Sequence, residues 1–227
     1  AAQPRSIRAP RQKIEPTTPV VIRHGSTNST AANLIAGGDG EDIGLSEKGL
    51  KEAKLSAAAV SPLLKFFDLP PVTSIINSPM KRTTQTAEAL SGTEGVVLVP
   101  DERLREIAFG EWDGMSMDSM EIESSEEVSK WRASTSQRPP GGESVQDLEK
   151  RVSELVSEAV LVNQGRTVVL VTHMMPSRVI AKFAPRSADS TYWNINFAPG
   201  GISIYPFFVT GFVETFAINS CAHLIQG

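Results

Sequence analysis

Four short apolar runs constrain this chain more than any other feature: "PVVI" (19–22), "TSIIN" (73–77), "VVLVP" (96–100) and "TVVLVT" (167–172). They are continuous and do not alternate with polar residues, which fits strands covered on both faces by helices. Stretches of helical period separate them, and two further runs, "ISIY" (202–205) and "FVETFAI" (212–218), extend the series. The expected fold class is therefore α/β, a three-layer α/β/α sandwich around a mostly parallel central sheet. A chain of 227 residues with 40% hydrophobic content has enough apolar side chains for one such domain.

The helices between the strands carry their own start signals. Ser46 is placed to cap a helix bearing Leu50, Ala53, Leu55 and Ala57, and Ser78 followed by Pro79 reads as an N-cap with proline in the first turn of "MKRTTQTAEAL". In "ESVQDLEKRVSELVSEAVLV", the residues Val145, Leu148, Val152, Leu155, Val156 and Ala159 recur at three- and four-residue spacing behind a Ser144/Asp147 capping box. The glycine- and proline-rich stretches 36–44, 138–144 and 197–203 read as loops. Residues 115–131 read as a short helical insertion over a site mouth, with Met115, Met117 and Met120 as packing residues. The Pro/Arg-rich residues 1–18 read as a flexible linker, which leaves 19–227 as the folded domain.

Composition excludes several classes of function. A net charge of −4 without a basic block argues against direct nucleic-acid binding, and no apolar run is long enough for a membrane span. The single cysteine, Cys221, leaves no internal disulfide and suits the cytoplasm. No G-x-x-x-x-G-K-[ST] loop and no G-x-S-x-G elbow occur, and "GGDGEDIG" has Ile43 where G-x-G-x-x-G needs its last glycine. No cofactor is expected.

The chemistry is read from the ends of the apolar runs. "VVIRHGST" ends a strand in Arg23 and His24, and "TVVLVTHMMPSR" ends another in Thr172 and His173, so two of only three histidines stand at the carboxyl ends of strands, where α/β sheets gather ligands. Arg82 lies in the first helical turn after a third strand, beside backbone N–H groups that favour an anion. Glu106, framed by Leu104, Ile107 and Phe109 in "LREIAFGEW", is the acidic residue set to be buried and to hold a proton. Adjacent guanidinium groups would repel a divalent cation but suit a phosphoryl trianion. Arg23, Arg82 and His173 can surround that group, His24 can attack phosphorus in line, and Glu106 can protonate the departing oxygen. Trp112 is near enough in sequence to line the site, and His223 reads as a surface residue.

The motifs "RHGST", "SPMKRTTQTAE", "LREIAFGEWDG", "PPGGES" and "VTHMMPSR" resemble the histidine phosphatase superfamily, in its phosphoglycerate mutase-like branch, over residues 19–205. The resemblance implies a phosphohistidine at His24, a phosphate pocket of Arg23, Arg82 and His173, and Glu106 as proton donor. Finer likeness to α-ribazole phosphatase-type enzymes implies a small phosphorylated substrate, with α-ribazole 5′-phosphate as first expectation. The ending "YWNINFAPGGISIY" is similar to actinobacterial proteins that carry an N-terminal ribonuclease H domain. Three departures stand out: Met174 and Met175 replace the usual glycine after the second histidine, Thr30 stands where asparagine is common, and "NLIAGGDGEDIG" lacks an arginine ahead of its glycine. Thr30 is expected to donate its hydroxyl to a phosphate oxygen. Two other readings stay open, a phosphoglycerate mutase and a non-catalytic phospho-ligand-binding domain of a fused nuclease.

Overall fold

The computed structural model describes residues 15–225, so the linker expected over 1–18 falls almost wholly outside it. The elements follow in the order β1 (Thr18–Arg23), α1 (Asn28–Ala31), α2 (Glu47–Phe66), β2 (Val72–Asn77), α3 (Lys81–Glu94), β3 (Leu98–Pro100), α4 (Met117–Glu123) and α5 (Ser125–Ala133). There follow α6 (Val145–Val162), β4 (Thr167–Thr172), α7 (Met174–Phe183), α8 (Thr191–Asn194), β5 (Ile202–Ile204) and β6 (Ala217–Ser220), with short 3₁₀ turns at Glu102–Leu104, Gly110–Trp112 and Ala222–Leu224.

The six strands form one sheet in the order β3-β2-β4-β1-β5-β6. The β3/β2, β2/β4 and β4/β1 pairs are parallel, whereas β1/β5 and β5/β6 are antiparallel. Each central strand feeds both faces because side chains alternate along it. Val20, Ile22, Val169 and Val171 pack with Ala57, Val60, Ala87 and Leu90 of α2 and α3. Val21, Val168 and Leu170 pack with Leu148, Val152, Val179 and Ile180 of α6 and α7. This is the expected three-layer sandwich, and the continuous runs of β1 and β4 follow from it: both faces of these central strands are buried.

Two of the expected strands differ. β3 is an edge strand whose Val97 flank and Val99 are exposed, so the apolar run there is not covered on both sides. The last strand is Ala217–Ser220 rather than 212–218, because the chain turns at Gly211 (φ 80°), where Phe208 N–H donates to Phe212 O at 2.9 Å. Phe216 instead packs on Phe67, at 5.0 Å between ring centroids.

Helix signals fared unevenly. The α6 capping box is present and all six spaced apolar residues are buried. Ser46 caps α2 through Gly49 N, yet Leu50 faces solvent, and the buried stripe runs through Gly49, Glu52, Ala53, Ser56, Ala57, Val60 and Leu64. Ser78 is not the cap of α3. Met80 occupies that position without a side-chain bond, and Asp42 from the 36–44 loop accepts from Lys81 N at 2.7 Å instead. The insertion at 115–131 is helical, with Met120, Val128 and Trp131 buried against the α6/α7 side. Among the described residues no helix is long and apolar enough to cross a membrane.

Candidate active site

The parallel order of β2, β4 and β1 brings their carboxyl ends together, and with them the residues read from the sequence. His24 continues the ladder past β1, its N–H donating to Thr172 O at 2.9 Å. Its Nδ1 lies 2.7 Å from Gly25 O. A carbonyl only accepts, so Nδ1 carries the proton and the Nε2 lone pair is left free. Burial, followed by Arg23 and Arg82, holds His24 well below the ordinary histidine range, so the ring is neutral.

The turn that presents His24 is built from close backbone contact. A Cβ on Gly25 would stand 2.3 Å from Gly49 O, so the loop seats directly on the first turn of α2. Gly25 N donates to Thr86 Oγ1 at 3.1 Å and Ser26 N to Glu52 Oε2 at 2.7 Å. Thr30 completes the reciprocal cap of α1 with Thr27, and among the described residues none of its hydrogen bonds reaches His24, Arg23, Arg82, His173 or Glu106.

His173 opens α7 and is fully buried. Arg82 Nε lies 3.2 Å from its Nδ1, and because a guanidinium only donates, Nδ1 accepts and the proton sits on Nε2. That Nε2–H donates to Ser78 Oγ at 2.8 Å. Both ring nitrogens thus have partners within the protein, and the ring meets His24 edge-on at 5.1 Å between centroids. Burial first, then Arg82, keeps His173 well below its usual range.

The two arginines are held but not saturated. Arg82, 1% exposed, also donates through Nη2 to Ala36 O at 3.1 Å, while Arg23 donates through Nη1 to Phe197 O at 2.5 Å. Among the described residues Arg82 Nη1 and Arg23 Nε are buried without a hydrogen-bond partner. Buried N–H groups of a charged side chain are seldom left so, since each such group costs about 1–3 kcal/mol. Burial lowers Arg23 to about 10, partly offset by Glu106.

Glu106 closes the set, 7% exposed. Its Oε1 accepts from Ile107 N at 2.9 Å and its Oε2 from Met174 N at 3.1 Å, with Met175 N shared between them, so the carboxyl sits on the first turn of α7. Burial raises its pKa; the Ile107 N–H, then Arg82 and Arg23, oppose this without overcoming it. The methionines at 174 and 175 therefore present backbone N–H groups to the carboxyl.

Sequence reasoning passed over Ser78 and Arg178. Ser78, read as a helix cap, accepts from His173 Nε2 at 2.8 Å and only at 3.4 Å from Met80 N, while Asp42 takes the Lys81 N–H. Arg178, in the quoted "VTHMMPSR", donates through Nε to Ile195 O at 2.8 Å, and its charge reaches Arg23 and Glu106. Arg105 supplies a cation at the loop that lacked one, donating through Nη2 to Gly38 O at 2.6 Å. Trp112 lies in the core, edge-on to Trp131 at 5.7 Å. His223 is half-buried and bonded to Gly200 O, not a surface residue. An open cleft of about 230 Å³ reaches Glu106 between Gly38, Arg105 and Arg151, whereas a larger one of about 390 Å³ at Arg132 and Trp193 contains none of these groups. Among the described residues no three His, Cys, Asp or Glu side chains group to hold a metal ion.

The family model for the histidine phosphatase superfamily (branch 1) matches residues 20–216. A bifunctional protein of Mycobacterium tuberculosis is 25% identical over 209 residues, 92% of this chain and 55% of that protein; the chain thus spans about half the length of the first curated relatives it matches. A probable phosphoglycerate mutase of Yersinia pestis is 31% identical over 160 residues, 68% of either chain. A mycobacterial glucosyl-3-phosphoglycerate phosphatase solved with VO3 has the same fold, at a TM-score of 0.78 and 24% identity over 90% of this chain and 99% of that one. The matched span includes every strand end described above, and the chain belongs to the histidine phosphatase superfamily.

Proposed function

We propose that this protein is a metal-independent phosphomonoesterase acting on a small phosphorylated metabolite through a phosphohistidine on His24. The observation that carries the reading is the pair of orphaned guanidinium N–H groups, Arg82 Nη1 and Arg23 Nε, in the same cluster as a neutral histidine with a free Nε2. Three equatorial phosphoryl oxygens supply the acceptors those donors lack.

In the first step the His24 Nε2 lone pair forms a bond to phosphorus while the ester P–O bond breaks, and Glu106 gives its proton to the leaving oxygen. Burial raises its pKa, which favours the protonated form that donates in this step. In the second step Glu106, now a carboxylate, takes a proton from water as the water oxygen attacks phosphorus; the P–N bond breaks and its electron pair returns to Nε2. The Nδ1–H bond to Gly25 O stabilises the ring when it carries the phosphoryl group. His173 orients Arg82, and a phosphoryl oxygen competes with Ser78 for its Nε2–H. Thr30 supports the loop that follows His24.

For the substrate we propose α-ribazole 5′-phosphate first. A mutase is the second reading, favoured by the relative of that name in Yersinia pestis. We further propose residues 19–227 as a cytoplasmic catalytic domain behind a linker, with an N-terminal ribonuclease H domain ahead of it; the half-length match to a protein named bifunctional supports a longer chain. The test is phosphate release in excess chelator from α-ribazole phosphate, glucosyl-3-phosphoglycerate, 3-phosphoglycerate and an aryl phosphate, comparing the intact protein with His24→Ala. Chelator-resistant release lost in the variant is the expected result. Isomerisation of 3-phosphoglycerate without release would favour the mutase, and release that survives in His24→Ala would overturn the phosphohistidine.

A further inference from the structure

The family match ends at residue 216, yet the segment after it holds a loop that meets the site. Asn219, in β6, adopts φ 49°, a left-handed conformation that asparagine accepts more readily than most residues. From there its Oδ1 accepts from Ala198 N at 2.8 Å and its Nδ2 donates to Asn196 O at 2.8 Å. These two bonds bracket Phe197. Four residues on, His223 Nε2 donates to Gly200 O at 3.0 Å, an oxygen that also accepts from Ser56 Oγ at 2.8 Å.

The bracketed loop touches the site twice. Phe197 O is the acceptor for Arg23 Nη1, the one hydrogen bond recorded for that guanidinium among the described residues. Gly200 N donates to Arg23 O at 3.0 Å and, less closely, to His24 O at 3.3 Å. A planar guanidinium binds an anion well only when its plane is held in place, so whatever sets the Phe197 carbonyl sets the direction of the free Nε–H.

We propose that Asn219 is a positioning residue for Arg23: by pinning Asn196 O and Ala198 N it fixes the Phe197 carbonyl on which the guanidinium hangs, with His223 as a second anchor at Gly200. The inference rests on the reading of Arg23 as a phosphate clamp. It assigns a role at the site to a segment outside the family match.

The experiment is calorimetric titration with inorganic phosphate, alongside thermal melting, for the wild type, Asn219→Gly, His223→Ala and Ile218→Ala. Glycine accepts the left-handed backbone, so Asn219→Gly removes the amide with little strain. The expected result is a rise of about tenfold in Kd for phosphate, with Tm close to the wild type. Ile218→Ala, 43% exposed on the same strand and without a bond to the loop, is expected to leave Kd unchanged. An Asn219→Gly protein with lowered Tm but Kd within twofold of the wild type would show the strap to be structural only. Should that variant not fold, His223→Ala carries the test: a severalfold weaker Kd supports the proposal, and an unchanged one overturns it. Wild type that binds phosphate but hydrolyses no ester sinks the phosphatase reading and leaves this comparison valid. Wild type that binds no phosphate overturns the clamp itself.

Discussion

Replacing Arg82 by methionine should separate what the site costs the fold from what it supplies to the ligand. The side chain is 1% exposed, with two bonds, to His173 Nδ1 and Ala36 O, and one buried N–H unpaired. Losing bonds from a charged donor costs about 1.5–3 kcal/mol each, but removing the orphan returns about 1–3 kcal/mol. Lifting a buried charge returns several more, and apolar replacements of similar size at such positions are often neutral. The net change in folding stability should therefore lie within about 2 kcal/mol of zero. Phosphate binding loses its charge-assisted clamp, a truncation worth about 2–5 kcal/mol, or from about 30-fold to a few thousandfold in Kd. Calorimetry gives the affinity. Melting with and without phosphate gives the linked readout, because ligand at 100 times Kd adds about 2.7 kcal/mol to the native state. A folded variant that binds phosphate within threefold of the parent would refute the assignment. A stability loss beyond about 5 kcal/mol would refute the idea that this charge is held against the fold's interest.

Glu106→Gln tests the acid. Burial raises the Glu106 pKa and lowers that of His24, so kcat/KM on an alkyl phosphate should fall as pH rises through the first and as pH drops through the second. The glutamine variant should lose the alkaline limb and about 10²–10⁴-fold in rate on alkyl esters, but far less on aryl phosphates; equal losses on both would remove Glu106 from that role. Gly25→Ala puts a Cβ 2.3 Å from Gly49 O and should cost about 1–3 kcal/mol, lowering Tm by several degrees. An unchanged Tm would mean the turn does not need this close approach.

Much of the molecule was legible before any coordinates. Strand runs without alternation call for two covering layers, and β1, β2 and β4 have them; a 3.6-residue stripe behind Ser144 calls for a buried helix face, and α6 has it. The residues of the candidate site were legible for a local reason: each stands where a strand or its following turn ends. What failed were inferences that ignored competition between neighbours. Ser78 looked like a cap because local spacing cannot show Asp42 arriving from another loop, and the apolar residues of α2 did not show that Leu50 faces solvent, since that depends on the angle at which α2 meets the sheet. The edge position of β3 was equally invisible, since strand order is a property of the whole sheet.

The sequence by itself determined the fold class, the strand ends that carry Arg23, His24 and His173, and the family, since all of these follow from periodicity and short motifs. Tertiary structure alone decided the electrostatics and the wiring: burial and then Arg23 and Arg82 disfavour a charge on His24 while Gly25 O sets its tautomer, burial and then Arg82 do the same for His173, and burial on α7 raises the pKa of Glu106. It also decided that Asn219 and His223 anchor the loop behind Arg23. Desolvation and hydrogen bonding depend on which atoms become neighbours across the fold, and spacing along a chain does not carry that information.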